Sequence, residues 1–190
     1  VTPELRTVSI PNLITIGRVF LVPVVFWLLL SGEMRWAFVL FVVAGVSDGV
    51  DGFLAKRYGW TTELGSYLDP LADKLLLVCI FIALGVSGAL PSWLVIAVVT
   101  RDLLIVAGVV LSWVLGHPVP IHPLIVSKAN TVAQIVLASV VMADIGFDLG
   151  LGGLRKVLTW VTAGLILASL AAYAKTWLLH MSGYEDKGAG

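Results

Sequence analysis

The sequence predicts an all-α integral membrane protein: six transmembrane helices with a short N-terminal interfacial segment. Two observations carry that class. Of 190 residues, 59% are hydrophobic and only 13% are charged, with mean hydropathy +1.02, whereas a soluble domain of this size carries about 25% charged residues. The apolar residues also gather into six runs of about 18–25 residues, each long enough to cross a bilayer core. The formal net charge is zero, so no global field points to nucleic acid as a partner. The single cysteine, Cys79, lies in an apolar run and cannot form an internal disulfide.

In chain order, residues 1–10 are polar and amphipathic, which suits an interfacial lead into a helix. The first span is expected from about Leu13 to Leu30, interrupted by Arg18 and Pro23; it is too long for a cleaved signal peptide and lacks a small-residue cleavage site. The second begins near Trp36 and runs through Val46 into an aspartate-rich stretch. A polar loop over Arg57 to Leu64 leads to the third, about Tyr67 to Val86. Gly88 to Ser92 reads as a tight turn, with Pro91 where the fourth helix begins. The fourth span, Trp93 to about Leu115, contains Arg101 and Asp102. After the proline-rich Gly116 to Pro123 comes the fifth, about Val126 to Ala143. A glycine-rich turn, Gly146 to Gly153, precedes the sixth, about Leu154 to Leu179. The chain is expected to be one membrane domain over 1–190, with 182–190 as a flexible polar tail.

Six spans place both termini on one side. Arg6, Lys56, Arg57, Lys128, Lys175 and Lys187 fall on that side, against Arg35, Arg155 and Lys156 on the other. The positive-inside rule then makes the terminal side cytoplasmic. The expected location is a bacterial inner (cytoplasmic) membrane with the aspartate-rich stretch at its cytoplasmic face. Tryptophans 27, 36, 60, 93, 113, 160 and 177 stand mostly near span ends, as an interfacial belt would.

The rest of the chain is organised around the stretch from Asp48 to Asp73. Asp48 and Asp51 are three residues apart, Asp69 and Asp73 four apart, so each pair shares a helix face. One isolated acid at mid-membrane depth costs about 2.5–3.5 kcal/mol. Helix-end solvation would account for one or two of them, but not for two pairs flanking one loop inside apolar helices. Hard divalent cations gather such oxygen ligands and commonly hold a phosphate-bearing substrate. Gly49, Gly52 and Gly65, with the small Ala55, lie among the acids; they serve either close helix packing or backbone approach of a bulky phosphate.

This stretch resembles the CDP-alcohol phosphotransferase (CDP-alcohol phosphatidyltransferase) family, whose pattern is D-x2-D-G-x2-A-R-x8-G-x3-D-x3-D. Here Asp48, Asp51, Gly52, Ala55, Lys56, Gly65, Asp69 and Asp73 match every spacing over 26 residues. The one departure is Lys56 in place of the usual arginine, with Arg57 next to it. Lysine neutralises a phosphate but lacks the bidentate fork. The opening Pro11-Asn12-Leu13-Ile14-Thr15-Ile16-Gly17-Arg18 is similar to the family's P-N-x2-T-x2-R.

The resemblance implies a six-helix membrane fold, a homodimer, and two divalent ions, Mg2+ or Mn2+, on Asp48, Asp51, Asp69 and Asp73. It implies CDP-diacylglycerol as donor and CMP as leaving group. Asp73 would be both a ligand and the catalytic general base on the acceptor hydroxyl. Asp51, Gly52, Ala55, Lys56, Gly65, Asn12 and Thr15 would line the donor site.

Arg18, Arg57, Arg101 and Lys128 are the expected contacts to the acceptor and its phosphate. Arg18, Arg101 and Lys128 each have a plainer alternative, as does Asn12. Asn12 caps a helix and Arg18 snorkels; Arg101 and Asp102 neutralise each other between helices; Lys128 snorkels at a helix end. His117 and His122, between prolines, read as loop polarity. The segment SKANTVAQ (Ser127 to Gln134), with RDLLIVAGV from Arg101, is similar to the CMP-forming cardiolipin synthase branch of the family. The phosphatidylglycerophosphate synthase branch tends to carry a second basic residue about two turns after the fourth-span arginine, where this chain has Val109. A soluble phosphate monoester wants more cationic contacts than a lipid phosphodiester. The expected acceptor is therefore phosphatidylglycerol, with glycerol 3-phosphate as the alternative. A transporter or channel would also place carboxylates and an arginine inside a bundle, but it has no need of the 26-residue pattern.

Overall fold

The computed structural model describes residues 10–58, 63–114 and 125–188, with side chains described over 17, 20–47, 49, 74–105, 107 and 125–175. Among these residues the chain forms six α-helices and no strand: α1 (Ile10–Leu30), α2 (Met34–Tyr58), α3 (Glu63–Val86), α4 (Ser92–Val114), α5 (Ile125–Phe147) and α6 (Gly152–Gly188). The expected interfacial segment falls almost wholly on residues 1–9, and the proline-rich loop on 115–124; both lie outside the described residues.

The turns form where the sequence permits a left-handed residue. Gly32 (φ +79) ends α1: its N–H donates to the Leu29 carbonyl at 3.2 Å, and Glu33 N–H donates to the Leu28 carbonyl at 2.9 Å. That is the Schellman arrangement, which satisfies carbonyls left over at the helix end. At the end of α5 the left-handed position is taken by Asp148 (φ +53), with Leu149 N–H donating to the Asp144 carbonyl at 3.2 Å. Aspartate tolerates this conformation better than most side chains. The turn before α4 forms as expected, with the Pro91 carbonyl accepting from Leu94 N–H at 3.0 Å.

Helix boundaries extend beyond the sequence expectation. α5 continues to Phe147 rather than about Ala143, and α6 runs to Gly188 rather than about Leu179. Hydropathy marks where a segment turns polar, but backbone hydrogen bonding continues through polar residues that are adequate helix formers, such as Glu185 and Lys187. Pro23 lies inside α1, a placement that apolar bundles tolerate.

The chain divides into two compact units, Val1–Leu90 with Ser139–Gly150, and Pro91–Ala138 with Leu151–Gly190. In the first, α1 packs on both α2 and α3. The interior is mainly apolar, with Val25 and Leu29 of α1, Ala37 and Phe41 of α2, and Ile80 and Phe81 of α3 all buried, although Asp144 of α5 is buried in this unit too. The small Ala37 and Ala44, one heptad apart on α2, are both buried and leave room for close helix approach. Near the end of α5, Gly146 serves the same purpose: a Cβ there would lie 2.9 Å from Arg35 Cα and N. Arg35 Nε donates to the Gly146 carbonyl at 3.0 Å, and its guanidinium lies 5.3 Å from the Phe147 ring centroid.

The second unit is built differently. α4 packs on α6, and the buried faces mix apolar and polar residues: Leu94, Val98 and Arg101 of α4; Asn130, Gln134 and Leu137 of α5; Thr162, Ile166 and Ser169 of α6. Large apolar side chains are exposed on all six helices, among them Phe20, Val43, Leu75, Ile96, Val132 and Leu167. Among the described residues, two helical segments are long and apolar enough to cross a membrane, Ile125–Phe147 and Gly152–Lys175; shorter apolar stretches are Phe20–Leu30, Met34–Ser47 and Lys74–Val86.

Candidate active site

The four aspartates sit on two consecutive helices. Asp48 and Asp51 belong to α2, and Asp69 and Asp73 to α3. Their spacings of three and four therefore fall on helical backbone, as the sequence requires for each pair to share a face. Their side chains lie outside the described residues, as do those of Asn12, Thr15, Arg18, Gly52, Ala55, Lys56, Arg57 and Gly65. Among the described side chains, no group of three or more His, Cys, Asp or Glu could hold a metal. The fit of the aspartates to a metal is thus one of donor chemistry: four carboxylate side chains supply the hard oxygen ligands that Mg2+ or Mn2+ prefer. Gly49, beside Asp48, is exposed, and a Cβ there would meet nothing within 4 Å. Packing against the described residues does not explain that glycine. An open position on the helix that carries the first acidic pair suits backbone approach by a bulky ligand.

The candidate acceptor residues on α4 and α5 are described in full. Arg101 is 1% exposed, the largest fully buried side chain among the described residues. Its Nη1 donates to Asp102 Oδ1 at 2.6 Å, and its Nη2 donates to Ser127 Oγ at 2.5 Å and to Ser169 Oγ at 2.9 Å. Nε also points to Ser169 Oγ, at 3.3 Å. The guanidinium thus joins α4, α5 and α6. Burying it is tolerable only because an anion and hydroxyls surround it.

On α5, Lys128 is exposed. Thr131 turns its hydroxyl back to the Ser127 carbonyl at 3.2 Å. The buried line runs through Asn130 and Gln134 instead, so Gln134 does not share the exposure of Lys128. Among the described residues, both amide atoms of Asn130, Nε2 of Gln134 and the Thr162 hydroxyl are buried with no hydrogen-bond partner.

Ser127, Ser169, Asn130 and Thr162 are the polar residues that the sequence did not mark as site candidates. Ser127 and Asn130 stand inside the SKANTVAQ segment, but nothing separates them there from helix-capping residues. Ser169 lies in the apolar run LILASLAAYA and carries no signal of its own.

The family model for CDP-alcohol phosphatidyltransferase matches residues 8–170, covering all of α1 through α5 and with them both aspartate pairs. This chain belongs to the CDP-alcohol phosphatidyltransferase family. It is 36% identical over 187 residues to CDP-diacylglycerol–glycerol-3-phosphate 3-phosphatidyltransferase 1, chloroplastic, of Oryza sativa subsp. japonica, covering 88% of this chain and 56% of the relative. It is 30% identical over 181 residues to cardiolipin synthase (CMP-forming) of Rattus norvegicus, covering 87% of this chain and 60% of the relative. The putative cardiolipin synthase of Mycobacterium tuberculosis (strain ATCC 25618 / H37Rv) is 35% identical over 112 residues, 58% of this chain and 54% of the relative. The chain thus spans between half and two thirds of the length of these family members. Family membership agrees with the resemblance drawn from the aspartate pattern. Two activities are named among the relatives, CDP-diacylglycerol–glycerol-3-phosphate 3-phosphatidyltransferase and cardiolipin synthase.

Proposed function

We propose that this protein is a CMP-forming phosphatidyltransferase of phospholipid synthesis, moving the phosphatidyl group of CDP-diacylglycerol to the hydroxyl of phosphatidylglycerol and so making cardiolipin. The observation that carries the reaction class is the complete set Asp48, Asp51, Asp69 and Asp73 on consecutive helices of a family member. Val109, where a second basic residue would favour a soluble phosphate monoester, supports the lipid acceptor. A second reading, transfer to glycerol 3-phosphate with phosphatidylglycerophosphate as product, is favoured by the similarity to the rice relative.

The aspartates would hold two divalent ions, Mg2+ or Mn2+, which supply charge neutralisation for the diphosphate and the departing CMP. Asp73 accepts the proton of the acceptor hydroxyl as its oxygen attacks the β-phosphorus, the one that carries diacylglycerol. The bond from that phosphorus to the bridging oxygen breaks, and CMP leaves with the electron pair. Asp51, Gly52, Ala55, Lys56, Gly65, Asn12 and Thr15 bind the donor, with Lys56 as a point charge on its diphosphate. Arg18, Arg57 and Lys128 attract the phosphate of the acceptor. All six helices cross the membrane, in one domain over 1–190 that pairs as a homodimer. The active site faces the cytoplasm, in keeping with the excess of Lys and Arg on that side. The many exposed apolar side chains on every helix support the membrane crossing, not its sidedness.

The test is CMP release by purified protein given CDP-diacylglycerol and Mg2+, with phosphatidylglycerol or glycerol 3-phosphate as acceptor. Release with phosphatidylglycerol alone is expected. Release with glycerol 3-phosphate alone moves the assignment to the second reading, and release with neither overturns the transferase.

A further inference from the structure

We propose that Arg101 is a positioning residue. It fixes the first turns of α5 through Ser127 and thereby sets where Lys128 stands, rather than itself binding the acceptor phosphate. The inference rests on the transferase reading above for the role of Lys128, but the anchoring can be tested without turnover.

Three observations carry it. First, the guanidinium is occupied and closed off. It is 1% exposed, and its fork is taken up by Asp102 Oδ1 at 2.6 Å, Ser127 Oγ at 2.5 Å and Ser169 Oγ at 2.9 Å. An arginine that receives a phosphate needs two parallel N–H groups open towards it. Here those groups are spent on three side chains of the same compact unit.

Second, Ser127 immediately precedes Lys128, which is exposed. Adjacent helical residues project about 100° apart, so fixing the rotation of Ser127 also fixes the direction in which Lys128 leaves the helix.

Third, the next buried polar groups of α5 supply no comparable anchor among the described residues. There, both amide atoms of Asn130 and Nε2 of Gln134 make no hydrogen bond, and the Thr131 hydroxyl turns back to α5's own backbone. Ser127, by contrast, receives a hydrogen bond from Arg101, 26 residues away.

Ser127→Ala tests the proposal, because it removes the link while keeping both cations. With the acceptor that supports wild-type turnover, the variant should raise acceptor KM by about three- to ten-fold, less than the full worth of a hydrogen bond to a charged group because the loss reaches the acceptor only through Lys128. Donor KM should not change. Ser127→Thr keeps the hydroxyl and should restore the wild-type value. In a Lys128→Ala background, Ser127→Ala should add nothing further, since its effect passes through that side chain.

An unchanged acceptor KM in Ser127→Ala, alongside a raised one in Arg101→Gln, overturns the proposal in favour of direct phosphate contact. Equal changes in donor and acceptor KM also overturn it, as general loosening. Independently of turnover, amides 129–134 should exchange with deuterium faster in both Ser127→Ala and Arg101→Gln. Unchanged protection would refute the anchor even if CMP release follows the transferase reading. If wild-type protein releases no CMP, the transferase reading fails and the exchange result alone decides the anchor.

Discussion

At the scale of single residues, the proposed chemistry turns on which carboxylate takes the proton. Asp73→Asn keeps the size of the side chain but cannot accept a proton. It is expected to lower turnover at least a hundred-fold, the lower end of what a general base contributes, while donor binding measured by equilibrium methods stays near wild type. Turnover close to wild type would assign the proton to another group. Lys56 is the one departure from the family pattern, and in the proposed reaction its ammonium would meet the donor as a point charge. Lys56→Ala is expected to raise donor KM about ten-fold, as loss of a charged hydrogen bond does. Lys56→Arg should hold or lower it. An unaffected donor KM in the alanine variant would transfer the role to Arg57.

At the scale of elements, helix contacts depend on where side chains are absent. A Cβ on Gly146 would come within 2.9 Å of the Arg35 backbone, and backbone cannot step aside as a flexible side chain can. Gly146→Ala should therefore cost about 1–3 kcal/mol, read as a melting temperature lower by several degrees in detergent. Gly45 is the control, because a Cβ there meets nothing within 4 Å. Gly45→Ala should be neutral or slightly stabilising through helix propensity alone. Equal losses in both variants would show that the close approach of α5 to Arg35 is not what limits stability. The contrast between the two units is also an element-scale fact. The first buries mainly apolar side chains, whereas the second buries an arginine, two amides and two hydroxyls. In an apolar bundle such groups are costly, and Arg101 meets the cost with Asp102, Ser127 and Ser169.

At the scale of the molecule, the proposal requires a metal-dependent enzyme that spans the membrane six times and pairs with itself. Chelation with EDTA should abolish CMP release, and Mg2+ or Mn2+ should restore it; release that survives chelation would remove the ions from the mechanism. Because Cys79 is the only cysteine, a cysteine-free background needs one substitution. Single cysteines introduced near Lys187 and near Arg155 should then react with an impermeant reagent from opposite sides of the membrane. Reaction from the same side would refute the six-span topology.

What the sequence determined by itself was whatever repeats or spaces along one chain. Long apolar runs determined six helices, because helical backbone satisfies its own hydrogen bonds and needs no distant partner. The aspartate spacing pointed to a metal site, because residues three and four apart share a helix face whatever surrounds them, and the eight-position pattern around it carried the resemblance to the family. Helix ends were less legible: hydropathy falls before hydrogen bonding stops, so α5 and α6 run past their apolar segments. Only the tertiary structure decided the surroundings of Arg101. From the sequence it was either an open cation or half of an ion pair, and its hydroxyl partners stand 26 and 68 residues away. Ser127 resembles a helix cap, and Ser169 resembles any small residue in an apolar run. Contacts between separate helices depend on the relative rotation and depth of each, and no local pattern in the sequence encodes either one.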